Sequence, residues 1–266
     1  MSESAQDEVL SKVPAVTLGF WIIKVLATTL GETGGDAVSM SWLGETTPQA
    51  GQSGLNGYLV GTALFGVALL VLVAAQIRAR RFRPWLYWAT IVASTTMGTT
   101  LADFSTRSLG LGYPGGSLLL LACVAASLLA WQRTLGTVST DSVATAPAEL
   151  FYWVTIAFSQ TLGTALGDWV ADSALGYAGS AMLFGGALAV VAVLYRSSAI
   201  SRVALFWTAF VLTRPLGATV GDFLDKPLAQ GGLALSRAGA TAALVAAIVV
   251  LIALVPQRPG RHLARA

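Results

Sequence analysis

The sequence predicts an all-α membrane protein. Eight transmembrane helices are expected, from four parallel two-helix repeats that are pseudo-symmetric about the membrane normal. Three observations predict this. The 266 residues are 55% hydrophobic and only 11% charged, where a soluble domain carries about 25% charged residues. The apolar residues fall into eight stretches that reach or approach the ~20 residues needed to cross a bilayer core as helix. One motif also recurs four times: Gly31-Glu32-Thr33-Gly34-Gly35-Asp36, Gly98-Thr99-Thr100-Leu101-Ala102-Asp103, Gly163-Thr164-Ala165-Leu166-Gly167-Asp168 and Gly217-Ala218-Thr219-Val220-Gly221-Asp222. A tryptophan stands ten residues before each leading glycine: Trp21, Trp88, Trp153 and Trp207. An aromatic residue precedes each of these (Phe20, Tyr87, Tyr152, Phe206), and no insertion changes the spacing from Trp to Asp. A fixed period of this quality marks an internal repeat.

Taken in order, residues 1–13 form a polar N-terminal segment. It is acidic (Glu3, Asp7, Glu8) and lacks the basic start of a cleavable signal. Repeat 1, residues 14–77, holds spans at 14–39 and 57–77, joined by a Gly-rich loop at about 44–56. The basic turn Arg78, Arg80, Arg81, Arg83, Pro84 leads into repeat 2, residues 84–133, with spans at 85–104 and 115–131. The polar connection 134–148 divides the chain into halves. Repeat 3, residues 149–196, holds spans at 149–170 and 179–195. Repeat 4, residues 202–255, holds spans at 203–224 and 232–255. A basic tail, 256–266, completes the chain. The fourth and sixth spans are the shortest, which suits a smaller tilt or interfacial flanks.

Charge sets the expected orientation. Lys12, the arginines of the 78–83 turn, Arg133, Arg196, Arg202, Arg258, Arg261 and Arg265 fall on one side, with Arg107 and Lys226 in loops on the other. The positive-inside rule then places both termini in the cytoplasm. Two spans per repeat send all four repeats into the membrane in the same direction, so the four aspartates share one depth. Each Asp lies ~22 Å beyond its Trp along a helix, toward the outer side. The repeated tryptophans are expected at the inner interface as anchors.

Odd-numbered spans carry a polar stripe at steps of four: Thr28, Glu32, Asp36; Thr95, Thr99, Asp103; Gln160, Thr164, Asp168; Arg214, Ala218, Asp222. Lipid cannot hydrogen-bond such a face, so it turns toward other helices or water. Beside it run the small-residue pairs Gly31/Gly35, Gly98/Ala102, Gly163/Gly167 and Gly217/Gly221, which permit close helix packing. The expected geometry is four odd helices around an axis, their acids converging, with the even helices outside. Lys24 and Arg214 occur once each and are expected to tune the charge of the five acids or act as gates. Pro215 is expected to bend its helix. Two readings stand for the aspartates: ligands in a pathway, or caps at an outer interface. Two also stand for the threonines, as ligands or as donors to their own helix carbonyls.

The stripe offers carboxylates, hydroxyls and one amide. Oxygen-only sites suit manganese, magnesium, calcium or protons rather than copper or zinc. Cys123 lies in an apolar run, where packing is the default role, and the one histidine, His262, lies in the polar tail. No catalytic triad, metalloprotease motif, nucleotide loop or haem ligation pattern is present, so no enzyme, no cofactor and no nucleic-acid partner is implied. With no nucleotide-binding domain, active transport would be secondary.

Residues Lys12-Val13-Pro14 and the run from Phe20 to Asp36, with the four Trp-bearing two-span units, resemble a bacterial membrane-protein family catalogued as a "repeat of unknown function". The resemblance covers about residues 12–255. It implies a multi-pass protein of the bacterial inner membrane and brings no established chemistry. The residues themselves lead to the expectation of a secondary transporter or exporter of a hard, manganese-like divalent cation, with protons as a coupling ion. Glu32, Asp36, Asp103, Asp168 and Asp222 would bind the metal cargo or carry protons, and Thr28, Thr95, Thr99 and Gln160 would be neutral ligands. The alternatives are a carrier of a small organic solute, with Lys24 and Arg214 meeting an anionic group, and a membrane module that assembles with a partner.

Overall fold

A computed structural model describes residues 10–44 and 56–261. Most of the expected 44–56 loop, the first nine residues and the tail beyond Arg261, with His262 and Arg265, lie outside the described residues. Among the described residues eight α-helices follow one another: α1 (Leu18–Asp36), α2 (Gly57–Arg78), α3 (Pro84–Asp103), α4 (Gly112–Leu135), α5 (Ala146–Val170), α6 (Gly176–Ser197), α7 (Arg202–Asp225) and α8 (Arg237–Leu254). Local chemistry sets their starts. The side chains of Thr17, Asn56, Ser201 and Ser236 accept hydrogen bonds from first-turn backbone N–H groups of α1, α2, α7 and α8. Pro84 and Pro147 stand in the first turns of α3 and α5, where a missing N–H costs nothing. Gly136 ends α4 in the left-handed region at φ 74°.

Several bounds differ from those expected. The first helix begins at Leu18 rather than Pro14, and residues 10–14 form a strand, β1 (Leu10–Pro14), antiparallel to β2 (Pro259–Arg261) in the basic tail. Lys12 N donates to Val143 O and Ala15 N to Arg258 O, both at 2.8 Å, so this segment finds its backbone partners in distant chain. The fourth and sixth helices are not short: polar residues such as Gln132 and Arg133 continue the helix past its apolar run. The eighth begins at Arg237 rather than 232, because residues 226–236 fold back on α7. Leu233 N donates to Phe223 O and Leu235 N to Leu224 O.

The four odd helices form a closed ring in the order α1, α3, α5, α7, each touching the next and α7 touching α1. Each even helix packs chiefly on the odd helix that follows it: α2 on α3, α4 on α5, α6 on α7, and α8 back on α1. The packing unit is therefore offset by one helix from the sequence repeat. Three units are joined by a connection; the fourth, α8 with α1, is held by packing and by the β1–β2 pair.

Burial is inverted relative to a soluble protein. The even helices leave large apolar side chains exposed, among them Leu64, Val67 and Leu70 on α2 and Val190 and Val193 on α6. Lys24, Glu32, Arg214, the four motif aspartates and most motif threonines are buried. That polarity suits a lipid solvent. Among the described residues five helical stretches, 57–78, 112–135, 146–197, 202–225 and 237–254, are long and apolar enough to cross a membrane. The stripe-bearing helices α1 and α3 are not among these stretches.

Candidate functional site

The site is built from the glycines outward. At each odd helix the motif glycines make room for the stripe of the next. A Cβ on Gly31 would lie 2.9 Å from Thr95 Cβ, and one on Gly35 2.9 Å from Thr99 Cβ. Gly98 faces Gln160 at 2.9 Å; Gly163 faces Arg214 and Pro215; Gly167 faces Ala218 at 2.9 Å. Gly217 then faces Thr28, and Gly221 faces Glu32 at 2.7 Å, which closes the circle. Every stripe thus enters the glycine cradle of its neighbour and runs along the interior of the ring.

Corresponding residues of the four helices stack as layers. At the helix starts Phe20, Tyr87, Tyr152 and Phe206 form an aromatic layer with Trp88, Trp131, Trp153 and Trp207. Phe20 and Trp88 lie 5.5 Å apart, Tyr87 and Trp153 5.7 Å, and the Tyr87 and Tyr152 hydroxyls bond at 2.6 Å. For three of the four repeat tryptophans this corrects the expectation of interfacial anchors; Trp21 is only partly buried. Trp88, Trp153 and Trp207 are at most 5% exposed, packed between helices, because the ring puts that face inward. The next layer holds Lys24, Ile91, Ile156 and Phe210. Lys24 pairs with no acid; its buried Nζ lies 4.1 Å from the centre of the Phe210 ring and has no hydrogen-bond partner.

Above it come Thr28, Thr95, Gln160 and Arg214, then Glu32, Thr99, Thr164 and Ala218. Arg214 is fully buried and reaches across two helices: Nη2 donates to Glu32 Oε2 at 2.9 Å and to the Thr99 hydroxyl, and Nη1 to Thr28 O at 3.4 Å. Thr28 and Thr99 also tie helices together, through Thr213 O at 3.0 Å and Gly31 O at 3.0 Å. The side-chain polar atoms of Thr95 and Gln160 are buried without a partner.

The last layer is Asp36, Asp103, Asp168 and Asp222, each at most 5% exposed. Helix conformation loosens right after three of them, into π-helical turns at Ala37–Trp42, Phe104–Ser108 and Ala171–Leu175. Such turns cluster at functional places. Two basic side chains divide the four acids into pairs. Lys226 Nζ lies 2.8 Å from Asp36 and 3.0 Å from Asp222; Arg107 lies 2.9 Å from Asp103 and 3.6 Å from Asp168. Arg237 joins the first pair, 3.9 Å from Asp36 and 3.3 Å from Asp225. Burial disfavours the Lys226 ammonium, but Asp36, Asp222 and Asp225 more than offset it, so Lys226 is held well above the usual lysine pKa.

Among the described residues, Glu32, Asp36 and Asp222 can each offer one oxygen to a common point, with those atoms within 4.8 Å of one another. Asp103 and Asp168 stand apart from that trio, under Arg107. Arg107, Lys226, Arg237 and Asp225 belong to the site yet were not expected in it. Their signal in the sequence is the step of four from Asp103 to Arg107 and from Asp222 to Lys226, one helical turn.

The family model for Repeat of Unknown Function (DUF347) matches residues 19–82, 86–137, 151–200 and 205–255. No curated protein and no solved structure matches the chain. Its four matches coincide with the four Trp-to-Asp units and their even helices, and the chain belongs to that repeat family.

Proposed function

We propose that the protein is a secondary transporter or exporter of a hard divalent cation, manganese-like, exchanged for protons. In this reading all eight helices span a bacterial inner membrane, with both termini cytoplasmic and the aspartate layer toward the outer face. The observation that carries it is the buried trio Glu32, Asp36 and Asp222 on adjacent helices α1 and α7, with one oxygen from each within 4.8 Å. Three carboxylate oxygens and nearby hydroxyls match the preference of hard cations for oxygen. Burial of acids beside a polar column, within a shell of apolar helices, is costly unless it serves a pathway or pairs. The cations already paired with these acids set the terms: a cargo ion must compete with them. Proton exchange follows naturally, since carboxylates that gain or lose a cation at one place also gain or lose protons.

A specific observation favours a second reading. Lys24 Nζ and both amide atoms of Gln160 are buried without partners; an anionic group on a small organic solute would accept from Lys24 Nζ and Gln160 Nε2, and a hydroxyl or amine of the solute would donate to Gln160 Oε1. The test is flux into proteoliposomes of manganese, magnesium, calcium, zinc and protons, with wild type beside Asp36→Asn and Asp222→Asn. Saturable metal flux, abolished in both variants, is the expected result. No flux of any ion, from wild type and variants that melt alike, would sink the cation reading and turn attention to organic anions and to partner proteins.

A further inference from the structure

The two cations that divide the aspartate layer occupy equivalent positions but are chemically different. Arg107 stands four residues after Asp103, and Lys226 four after Asp222; the matching positions of repeats 1 and 3 hold Met40 and Asp172. Each cation bridges the Asp of its own helix to the Asp of the next: α3 to α5 by Arg107, α7 to α1 by Lys226. The fourfold ring thus carries a twofold arrangement at this level. A guanidinium is always charged, planar and forked, which suits a permanent brace. An ammonium is a compact point charge on a flexible stem.

The Lys226 side of the layer has what the Arg107 side lacks. Glu32 brings a third carboxylate oxygen within 4.8 Å of those of Asp36 and Asp222. Asp36 Oδ1 is buried without a hydrogen-bond partner while Oδ2 meets Lys226, and Asp103 Oδ2 is likewise unpartnered on the other side, so the third carboxylate is what sets the two sides apart. The backbone of Lys226 is fixed. Its N–H donates to Asp222 O at 2.9 Å, its carbonyl accepts from Ala234 N at 2.9 Å, and Gly232 packs against that carbonyl with no room for a side chain. The side chain is a flexible four-carbon stem; at 11% exposed it is less accessible than Arg107 at 31%, so the contrast between the two cations lies in their chemistry and not in exposure.

We propose that the Lys226 ammonium is a tethered competitor. It fills the Asp36–Asp222 site while cargo is absent and yields it by side-chain rotation to a divalent cation, which takes Glu32, Asp36 and Asp222. Lys226 thereby sets the affinity of the site and keeps its acids from being buried unpaired between transport events. Arg107 is the fixed counterpart that holds Asp103 and Asp168 together. This rests on the cation reading given above for the trio.

Manganese binding to the purified full-length chain in detergent, read as loss of the free-ion electron paramagnetic resonance signal, tests it. Lys226→Gln should bind manganese roughly tenfold tighter than wild type or better, and adding Asp36→Asn should cancel the gain. Lys226→Arg, which puts a non-yielding cation in place, should bind more weakly than wild type. Arg107→Gln should gain nothing. If Lys226→Gln gains no affinity and Lys226→Arg loses none, the tethered competitor is wrong. The two proposals fail separately: normal metal flux by wild type without a gain in Lys226→Gln overturns this one alone, whereas tight binding to Lys226→Gln without wild-type flux overturns transport and leaves the site.

Discussion

At the scale of single residues, the ring interior contains two buried cations with opposite circumstances. Arg214 bonds Glu32, Thr99 and Thr28 through Nη1 and Nη2, with only Nε unpartnered, and removing it alone leaves Glu32 buried without its charged partner. Arg214→Met should therefore cost on the order of 3–5 kcal/mol, whereas Glu32→Gln combined with Arg214→Met should recover most of that loss. Lys24 is the reverse case. Its ammonium has only the face of Phe210, worth about 2 kcal/mol at most, against a burial cost of several kcal/mol. Lys24→Met keeps the volume and removes the uncompensated group, so it should raise the melting temperature while impairing flux. A lysine present only for stability would give the opposite shift in a thermal scan, with flux following stability. The stripe residues were legible in the sequence because steps of four place them on one face. Their partners were not. That Arg214 meets Glu32 depends on α1 standing next to α7 in the ring, and no spacing within a single helix contains that.

At the scale of elements, the glycine cradles decide how closely the odd helices approach. Gly217 is packed against the Thr28 side chain, and any Cβ there must push α7 off α1. Gly34, in the same motif, has 3.8 Å to its nearest neighbour, Thr241 Cγ2. Gly217→Ala should thus destabilise by about 1–3 kcal/mol, the usual cost of overpacking. Gly34→Ala should be neutral or stabilising by up to about 1 kcal/mol through helix propensity. Melting of both variants in detergent, side by side, checks the contrast; equal effects would mean that the cradles do not set helix spacing. The small-xxx-small pairs could be read from sequence, but their partners again could not. The tryptophans show the same limit. Residues at one depth suit an interfacial belt as well as an internal layer, and Trp88 and Trp153 are internal because an aromatic residue of the preceding odd helix packs on each, Phe20 on Trp88 and Tyr87 on Trp153. The first and eighth helices begin later than their apolar runs for a related reason: Thr17 and Ser236 cap them, while the residues before them hydrogen-bond to distant chain.

At the scale of the whole molecule, the four repeats are joined as a circle that the chain leaves open at one place. Within each of the pairs α2–α3, α4–α5 and α6–α7, a connection leads directly from the even to the odd helix. Between α8 and α1 there is none, and the strands β1 and β2 stand in its place, beside the 140–143 turn that carries the Ser11 bond to Thr140 O at 2.7 Å. Lys12 extends the same clasp, donating to the α2 carbonyls of Gln76 and Ile77 and pairing with Glu149 at the start of α5. The sequence signals this poorly, because five residues at one end and three at the other have no periodicity of their own. If the ring is a true circle, its opening should be movable. A permutant that begins at Ser201, ends at Ser198 and joins the original ends through a flexible linker keeps every helix pair, the direction of each helix and the Ser201 cap of α7. It should fold and melt within a few degrees of wild type, since lengthening a surface connection costs little. Truncation after Val255, which deletes β2 and the bond from Trp88 to Gln257, should lower the melting temperature far more. If the permutant fails to fold while the truncation is tolerated, the α8–α1 seam is not equivalent to the other three, and the order of the helices along the chain, rather than the closed ring, governs assembly.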